Sequence, residues 1–561
     1  MSLSTINLKS IPKKNIPVKE IYDIIQKEDS IDNKTNEIKK VIREALGEDY
    51  QSIPDAEMIH DTLDALLAIN AELEHTLMIQ YLFAAYSIDL NTQGIEKNNL
   101  MNWQMQLLGV AREEMGHLMI VQNIRKSLGF ELHFDMNQLV YYTNLFPYTL
   151  ILEKLTLDSL AKYIYAESPE DWYKLTEKHD AIDKEILIRL AKSILREILP
   201  VNTQEQKQHE NLSFSLNEIQ NVSASRDLTL DGIVKNIVEL IDHENQKSLT
   251  VSELFTIIIF FIEHFTAEKD FSIESVYQQA KADQWNRGYV NTERTLKIND
   301  TEMKIPSSDV LVNNLVSKWE CLKAIKDVAE QGENPTDLND DHTHFYRFKL
   351  IFKQILESQQ YICKDIASNP VVPKDSIASF QSESISIPIK NITALFSISP
   401  NELNAYNEVQ HNAISTIEET PITNEQTKYW AELANTHYTL LLTFVEHSFY
   451  IEPNHQNNSD SIRGLIINSS FTEMYNLKSI SEILTTKYIH GDSGVYAGLP
   501  FQIKGLVNEK NTLDFIYQEI DLLMHSNNTI LKIDNNAENK FLLKLKILND
   551  NLLKVLTDYK K

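Results

Sequence analysis

The chain has 561 residues, and its 80 acidic side chains outnumber the 53 basic ones to give a formal net charge of −27. This charge argues against general nucleic-acid binding and against attraction to anionic membranes. The length predicts roughly two to four domains. Only 13 residues are Gly and 15 are Pro, which favours long helices over a turn-rich β fold, so we expect an all-α protein.

The cysteines and the apolar runs predict a cytoplasmic protein. The two cysteines, Cys321 and Cys363, offer neither a disulfide framework nor a Cys-x-x-Cys motif, which is typical of a reducing compartment. No apolar signal segment follows the lysines near the N-terminus. The strongest apolar run, residues 257–262, is far shorter than the ~20 residues that a membrane span needs. We therefore expect no membrane partner.

Residues 1–55 are expected to form a polar, partly helical arm, and the first strong helix is predicted over residues 61–88, which contain no Gly or Pro. Glu74 lies on the three-four stripe of apolar residues in this helix, so a carboxylate stands on a mostly apolar face. Glu74 is either a metal ligand or a solvated residue at the boundary of that face. Tyr81 lies on the same face of the helix as Glu74. It either packs in the core or forms a hydrogen bond to a metal ligand.

A second helix is predicted over residues 101–128, ending at Gly129. Glu114 and His117 are three residues apart and share its apolar face. Burying a carboxylate and an imidazole is costly unless they are paired or bind a cation. A Glu-x-x-His pair of this kind builds the di-iron and di-manganese sites of helical bundles; the alternatives are a satisfied buried ion pair and a neutral core His. Glu113 is expected to be solvated or to lie just behind the ligands.

A third core helix is predicted over residues 248–265, after a stretch from about 130 to 248 that is too long for a simple loop. That stretch is expected to be a structured crossover or insertion of the bundle. The third helix offers Glu253 near its capped start and Glu263 near its end. The two carboxylates lie nearly three turns apart, so they cannot both serve one site.

A fourth helix is predicted over residues 340–362, where Asp341 and His344 repeat the carboxylate-x-x-His spacing ahead of an apolar run. Alternatively, His342 and His344 are surface residues at a helix start, and Asp340 or Asp341 is an N-cap. Two carboxylate-x-x-His pairs in a Cys-poor chain favour a site for two metals. Fe(II) or Mn(II) suits carboxylate and imidazole ligands, and thiolate-loving metals do not. We expect about two iron ions, or manganese, per chain.

One linker divides the chain after this helix. Residues 369–373 carry two prolines and give the best linker signal. The prediction is a bundle domain over residues 56–368 and a mostly helical C-terminal domain over residues 374–561. The sequence leaves the C-terminal domain open as a lid, a dimer surface or a partner site, so a homo-oligomer is one of the arrangements it allows.

The segments that carry these residues resemble a known family. The resemblance covers roughly residues 60–360 in order, and it is to the ferritin-like domain of the iminophenyl-pyruvate dimer synthases of bisindole biosynthesis and of many shorter bacterial proteins. It rests on Leu73-Glu74-His75, residues 81–88, residues 110–117 with Asn123, residues 146–160, residues 166–170, residues 250–255 and residues 344–348. It implies a ferritin-like four-helix bundle with long crossover insertions.

The resemblance also implies a ligand set. It favours Glu253 over Glu263, and it adds Glu167, which periodicity leaves in a loop before a proline. The implied metal ligands are Glu74, Glu114, His117, Glu253 and His344, completed by Glu167 or Asp341. Two departures matter: Asp341 is one methylene shorter than Glu, and most of the extra length of the bisindole enzymes has no counterpart here.

Three functions are compatible with these features. The first is a metal-dependent oxidoreductase of specialised metabolism that oxidises a small organic substrate, such as one derived from an amino acid. The second is a non-catalytic or ferroxidase-like iron-binding protein. The third is a metal-free helical scaffold or partner-binding protein, in which Arg112 or Arg347 would neutralise the buried carboxylates. An aromatic-lined cavity beside the metals would separate the first function from the second.

Overall fold

A computed structural model gives the arrangement of the chain. It describes residues 16–47, 52–90, 94–134, 146–148, 152, 154–169, 172–198, 238, 249–285, 294–298, 301–305, 312–332, 343–367, 422–451, 462–489, 496–503 and 538–560. The regular elements of these residues are helices, apart from one two-stranded hairpin. The predicted all-α class is therefore confirmed.

The described α-helices, in chain order, are α1 Val18–Gln26, α2 Ile31–Leu46, α3 Asp55–Tyr86, α4 Lys97–Ser127, α5 Leu157–Ala166, α6 Ala181–Ile198, α7 Val251–Phe265, α8 Ala282–Trp285, α9 Lys318–Gly332, α10 His344–Ala367, α11 Glu425–Tyr450, α12 Ile462–Leu484 and α13 Glu538–Lys560. Strand β1, Arg294–Ile298, pairs antiparallel with strand β2, Thr301–Ile305. The four predicted core helices correspond to α3, α4, α7 and α10.

The centre of the molecule is the pair α3 and α4, which share the most extensive helix–helix interface among the described elements. Nearly every residue of α3 from position 62 to 85 is buried. A helix that is buried all round must be covered on every side by other elements. Helix α7 packs against α3, while α9 and α10 pack against α4, and α5 lies between α6 and α10.

Local signals fix where these helices start and stop. Thr156 and Ser159 close a capping box at the start of α5, and Thr250 and Glu253 close another at the start of α7. Each box satisfies backbone N–H groups that the first turn of a helix leaves without partners. Gly129, with φ +81°, follows the end of α4, in a conformation that favours glycine.

The N-terminal arm and the C-terminal helices both pack onto the bundle. The described part of the arm forms α1 and α2, and α1 lies against α7 with Ile21 fully buried. In the C-terminal region, α11 and α12 pack together as a helix pair. Tyr438 of α11 is hydrogen-bonded to His75 of α3. The division into an arm, a bundle domain and a C-terminal domain stays a prediction. No helix in the described part of the chain combines the length and the apolar character that a membrane crossing requires.

The C-terminal segment that follows α12 also reaches α3. A Cβ at Gly498 would lie 2.2 Å from the ring of Phe83. Only a residue without a side chain allows so close an approach of the backbone to that ring. Phe501 packs edge-on against Tyr438, with ring centroids 5.1 Å apart. The contact between this segment and the bundle is therefore tight and depends on one glycine.

Candidate metal centre

Helix α4 supplies two of the predicted ligands, Glu114 and His117, both fully buried. Because they are three residues apart on one helix, their side chains meet on the same face. The Nδ1 atom of His117 lies 3.2 Å from Oε2 of Glu114. This face of α4 looks toward α3 and α10, which bring further ligating groups to it.

A first group forms where α4 meets α3. The Oε2 atom of Glu74, a buried residue in the middle of α3, lies 3.5 Å from Nδ1 of His117. Asn70, one turn earlier on α3, donates a hydrogen bond of 2.9 Å to the other oxygen of Glu74. Glu74, Glu114 and His117 each offer one ligating atom within 4.8 Å of those of the other two.

A second group forms where α4 meets α5 and α10. His344 is the first residue of α10, and its Nδ1 lies 2.8 Å from Oε1 of Glu114 and 3.4 Å from Oε2 of Glu167. Glu167 directly follows the last residue of α5, and Tyr81 of α3 donates a hydrogen bond to its other oxygen. Glu114, Glu167 and His344 again bring their ligating atoms within 4.8 Å of one another.

Glu114 belongs to both groups, through different oxygens. Its Oε2 faces His117 and its Oε1 faces His344. The two imidazole rings stack with centroids 5.5 Å apart. A carboxylate shared between two His-containing groups has the arrangement of a bridging ligand in a dinuclear site of a helical bundle.

The far nitrogen of each imidazole has its own partner. Nε2 of His344 donates to Oε2 of Glu113 at 2.9 Å, and Arg347 forms an ion pair with the same carboxylate. Nε2 of His117 donates to Oε1 of Gln331, near the end of α9, at 3.1 Å. In both imidazoles this leaves Nδ1 as the nitrogen that faces the shared carboxylate.

The electrostatics of the site reflect three buried carboxylates in one small space. Burial and the charge of Glu167 raise the pKa of Glu114 well above its usual value. Burial would lower the pKa of His344, but the charges of Glu114 and Glu167 hold that pKa well above its ordinary range. Burial opposes ionisation of Glu74 as well, yet the neighbouring imidazole of His117 lowers its pKa. Without a metal, protons must therefore supply the positive charge in this space.

The side chain of Glu113 behaves differently because it has a permanent counter-ion. Burial would raise its pKa, but the guanidinium of Arg347 and the hydrogen bond from His344 lower that pKa to about 2. Glu113 therefore stays ionised at neutral pH. Its negative charge is neutralised by Arg347, so Glu113 does not need a cation in the space between the ligating atoms.

The residues present fit a pair of metal ions. Buried atoms without a hydrogen-bond partner among the described residues point into the shared space: Glu74 Oε2, Glu114 Oε1, Glu167 Oε2 and His344 Nδ1. Within the described ranges, no Lys or Arg forms an ion pair with any of these three carboxylates. Orphaned buried atoms of this kind are costly unless a cation takes them up. Carboxylate oxygen with imidazole nitrogen is a donor set that suits Fe(II) and Mn(II).

Gly332, the last residue of α9, leaves room beside the second group. A Cβ at this position would lie 3.6 Å from Oε2 of Glu167 and 3.8 Å from Nδ1 of His344. The space next to these two ligating atoms is therefore not filled by a side chain of this residue.

The structure places one implied ligand elsewhere. Oε2 of Glu253 accepts a hydrogen bond of 2.9 Å from the Thr250 N–H, and its Oε1 lies 4.0 Å from Nζ of Lys19. The capping box uses this carboxylate at the helix end, so it does not join either group. Glu263 is exposed at the other end of α7. Asp341 lies outside the described residues.

The third helix that supplies a carboxylate to the site is α5 and not α7, which corrects the expected source of that ligand. Helix α7 is nevertheless a buried helix that packs against α3, as the sequence predicts. Glu167 is the residue that α5 contributes, from the position that follows its last turn. Periodicity cannot find a ligand beyond a helix end, because the three-four pattern stops there. Gln331 was missed altogether, since nothing in its local sequence distinguishes it from an exposed polar residue near a helix end. Its role depends on α9 packing against α4.

Comparison with known proteins adds two findings. The profile of the family described as Ferritin-like matches residues 67–353, which is more than half of the chain. The dichlorochromopyrrolate synthase of Lentzea aerocolonigenes is 32% identical over 120 residues, covering 18% of this chain and 12% of the synthase. The chain thus aligns with only a small part of that relative. No solved structure matches the chain.

Proposed function

The chain belongs to the ferritin-like family, and from that premise we propose that it is a cytoplasmic metal-dependent oxidoreductase. It binds about two iron or manganese ions per chain and oxidises a small organic substrate derived from an amino acid. The observation that carries this proposal is the pair of ligand groups that share Glu114. Three buried carboxylates converge there without a Lys or Arg counter-ion among the described residues.

In the metal-free alternative, each buried carboxylate needs either a counter-ion or a proton. Arg347 takes that part for Glu113 only, and Glu113 lies behind His344 rather than among the ligating atoms. The remaining carboxylates face each other and two imidazoles. That arrangement favours a metal over a scaffold stabilised by internal ion pairs.

The substrate class draws on the named relative. Its name describes the synthesis of a small organic compound, dichlorochromopyrrolate. The matched region is short, so the class of substrate is carried over here only as a proposal. An aromatic cluster lies beside Glu167, in which the ring of Tyr81 is 4.9 Å from Tyr163 and 4.8 Å from Phe348. These rings keep water away from the ligating atoms on that side.

The residues of the chain have separable roles in this proposal. When bound, the two metals would supply redox chemistry and a binding position for an oxidant. Glu114 would be the ligand that both metals share, while Glu74 and Glu167 would each hold one of them. The hydrogen bond from Tyr81 fixes the orientation of Glu167 and keeps a proton next to it. The imidazoles are fixed through their Nε2 atoms, so Nδ1 would be the metal-binding nitrogen of each.

The first test is the metal content of protein purified without chelator, measured by mass spectrometry for the wild type and for His117→Ala. We expect iron or manganese near two per chain in the wild type and a loss of about half or more in the variant. Wild-type protein that holds no metal, even after anaerobic loading with Fe(II), would contradict the proposal.

A second measurement separates an enzyme from an iron-storage or ferroxidase-like protein. Oxygen uptake by the Fe(II)-loaded protein is followed with and without an added amino-acid-derived imine. Uptake that continues beyond what the bound iron can reduce, and only with the imine, supports the oxidoreductase. Uptake that stops when the bound iron is oxidised, whether or not the imine is present, favours the ferroxidase-like function.

A further inference from the structure

The two halves of the metal centre are supported by different chemistry behind their imidazoles. The ligating groups themselves are equivalent, because each half has the shared Glu114, one further carboxylate and one His. Behind His344 stands the carboxylate of Glu113, and behind His117 stands the neutral amide of Gln331. The asymmetry therefore lies outside the ligating atoms.

A carboxylate and an amide act differently on an imidazole. A hydrogen bond to an ionised acceptor is roughly twice as strong as one to a neutral acceptor. It fixes the ring orientation more firmly and makes the opposite nitrogen a better donor to a metal. On this ground His344 is the stronger ligand of the two, although both use Nδ1.

The position of Glu113 is itself secured on two sides. One oxygen accepts from His344 while Arg347, one turn further along α10, forms an ion pair with the carboxylate. Both Glu113 and Arg347 are buried. Gly109, on the preceding turn of α4, leaves a side-chain guanidinium nitrogen of Arg347 3.8 Å from where a Cβ would be. Bidentate pairing of this type holds a carboxylate in one orientation.

We propose that Glu113 is a positioning residue that makes the His344–Glu167 half of the centre bind metal more tightly than the His117–Glu74 half, so that the two halves fill in order. This inference rests on the proposed function, since it requires the two groups to bind metal. It assigns to Arg347 the task of holding Glu113 in place. It assigns to Gln331 the weaker support that leaves the other half to fill second.

The test is an anaerobic titration with Co(II) alone, followed by the visible absorption bands of the bound ion. Wild-type protein is expected to bind in two steps, and His344→Ala should lose the tight step while His117→Ala loses the weak one. Glu113→Gln should weaken the tight step by about 10- to 100-fold, the range typical of partners behind a metal-bound His. The matched control is Glu473→Gln, the same change in a buried His–carboxylate pair on α11 and α12, which should leave both steps unchanged.

The decisive variant is one that is expected to gain affinity for Co(II), because a misfolded protein cannot produce such a gain. Gln331→Glu places a carboxylate behind His117 and should tighten the weak step by about 10-fold or more. The exchange variant Glu113→Gln with Gln331→Glu keeps the number of charges and should reverse the order of filling, with circular dichroism as the check on folding.

Three results would overturn the inference while leaving the proposed function intact. The first two are two equal steps in the wild type and a tight step that persists in His344→Ala. The third is unchanged affinity in both folded Glu113→Gln and Gln331→Glu. Wild-type protein that binds no Co(II) and no Fe(II) would instead remove the proposed function itself.

Discussion

Two of the described regions bury clustered Glu and His side chains, and they differ in how those side chains are paired. In the α11–α12 pair, one His faces one Glu: Nδ1 of His437 is hydrogen-bonded to Glu473, and Asn476 donates a second hydrogen bond of 3.2 Å to the same oxygen. In the bundle, three carboxylates share two imidazoles. Both regions are fully buried, so exposure does not distinguish them.

The ratio of acids to imidazoles is what separates a structural pair from a binding site. One imidazole can balance one carboxylate, and an amide can complete the hydrogen bonding, as in the α11–α12 pair. Three carboxylates around two imidazoles leave negative charge and orphaned oxygen atoms. A metal cation satisfies them, and without one the cluster must take up an extra proton, as the raised pKa of Glu114 reflects. The same residue types thus signal a metal in one place and packing in the other.

The largest expected effect comes from removing Glu114, the ligand that both groups share. Glu114→Ala should reduce bound iron or manganese from about two per chain to nearly none, while Glu74→Ala should remove about one, because only Glu114 serves both groups. Metal content by mass spectrometry measures both variants. Full metal retention in Glu114→Ala would show that the bundle cluster is not the binding site.

The second prediction concerns the α11–α12 pair. His437→Leu leaves Glu473 buried with Asn476 as its remaining partner, so we expect a loss of about 3 to 5 kcal/mol in the free energy of unfolding. Denaturant unfolding at neutral pH measures the loss, and metal content should stay unchanged. The variant His437→Gln, which keeps a donor, should cost less. A loss of metal in a folded His437→Leu protein would contradict the conclusion that the α11–α12 pair is structural and takes no part in metal binding.

The third prediction uses pH to examine a carboxyl group on α11 that has no metal to stabilise it. Burial raises the pKa of Glu446 to about 7, so between its unfolded value near 4.5 and pH 7 the folded state holds the extra proton. Stability contributed by this group falls as pH rises through that window, and the penalty is complete above pH 7. Glu446→Gln should therefore raise the free energy of unfolding at pH 8 by up to about 3 kcal/mol.

The same variant should change stability much less at pH 5, where the carboxyl group is mostly protonated in the folded protein. Denaturant unfolding of the wild type and Glu446→Gln at the two pH values gives the difference directly. A gain of equal size at both would show that the effect comes from packing and not from ionisation.

The smallest expected effect concerns the contact between the segment after α12 and helix α3 of the bundle. Gly498→Ala places a methyl group against the ring of Phe83 on α3, so we expect a loss of about 1 to 3 kcal/mol from overpacking. Thermal unfolding measures it, and the double variant with Phe83→Leu should recover part of the loss. A stability equal to that of the wild type would mean that the segment after α12 does not press on the bundle as described.

The core helices, and the residues that share a face of each helix, could be predicted from the sequence alone. Glu114 and His117 are placed together by a spacing of three on α4, and Glu74 stands on a stripe of α3 that the pattern of apolar residues defines. These are local properties, because the geometry of one helix fixes which side chains are neighbours. The capping box of α7 is also local, and it explains why Glu253 serves a helix end.

Which helices meet at the site depends on the packing of segments that are distant in the sequence. Glu167 follows the end of α5, His344 begins α10, and Gln331 lies near the end of α9, so no periodic pattern connects them to Glu114. They come together because α5 packs on α10, and α9 and α10 on α4. That packing depends on burying apolar surface across the whole bundle, a non-directional force that the order of residues in any one helix does not reveal.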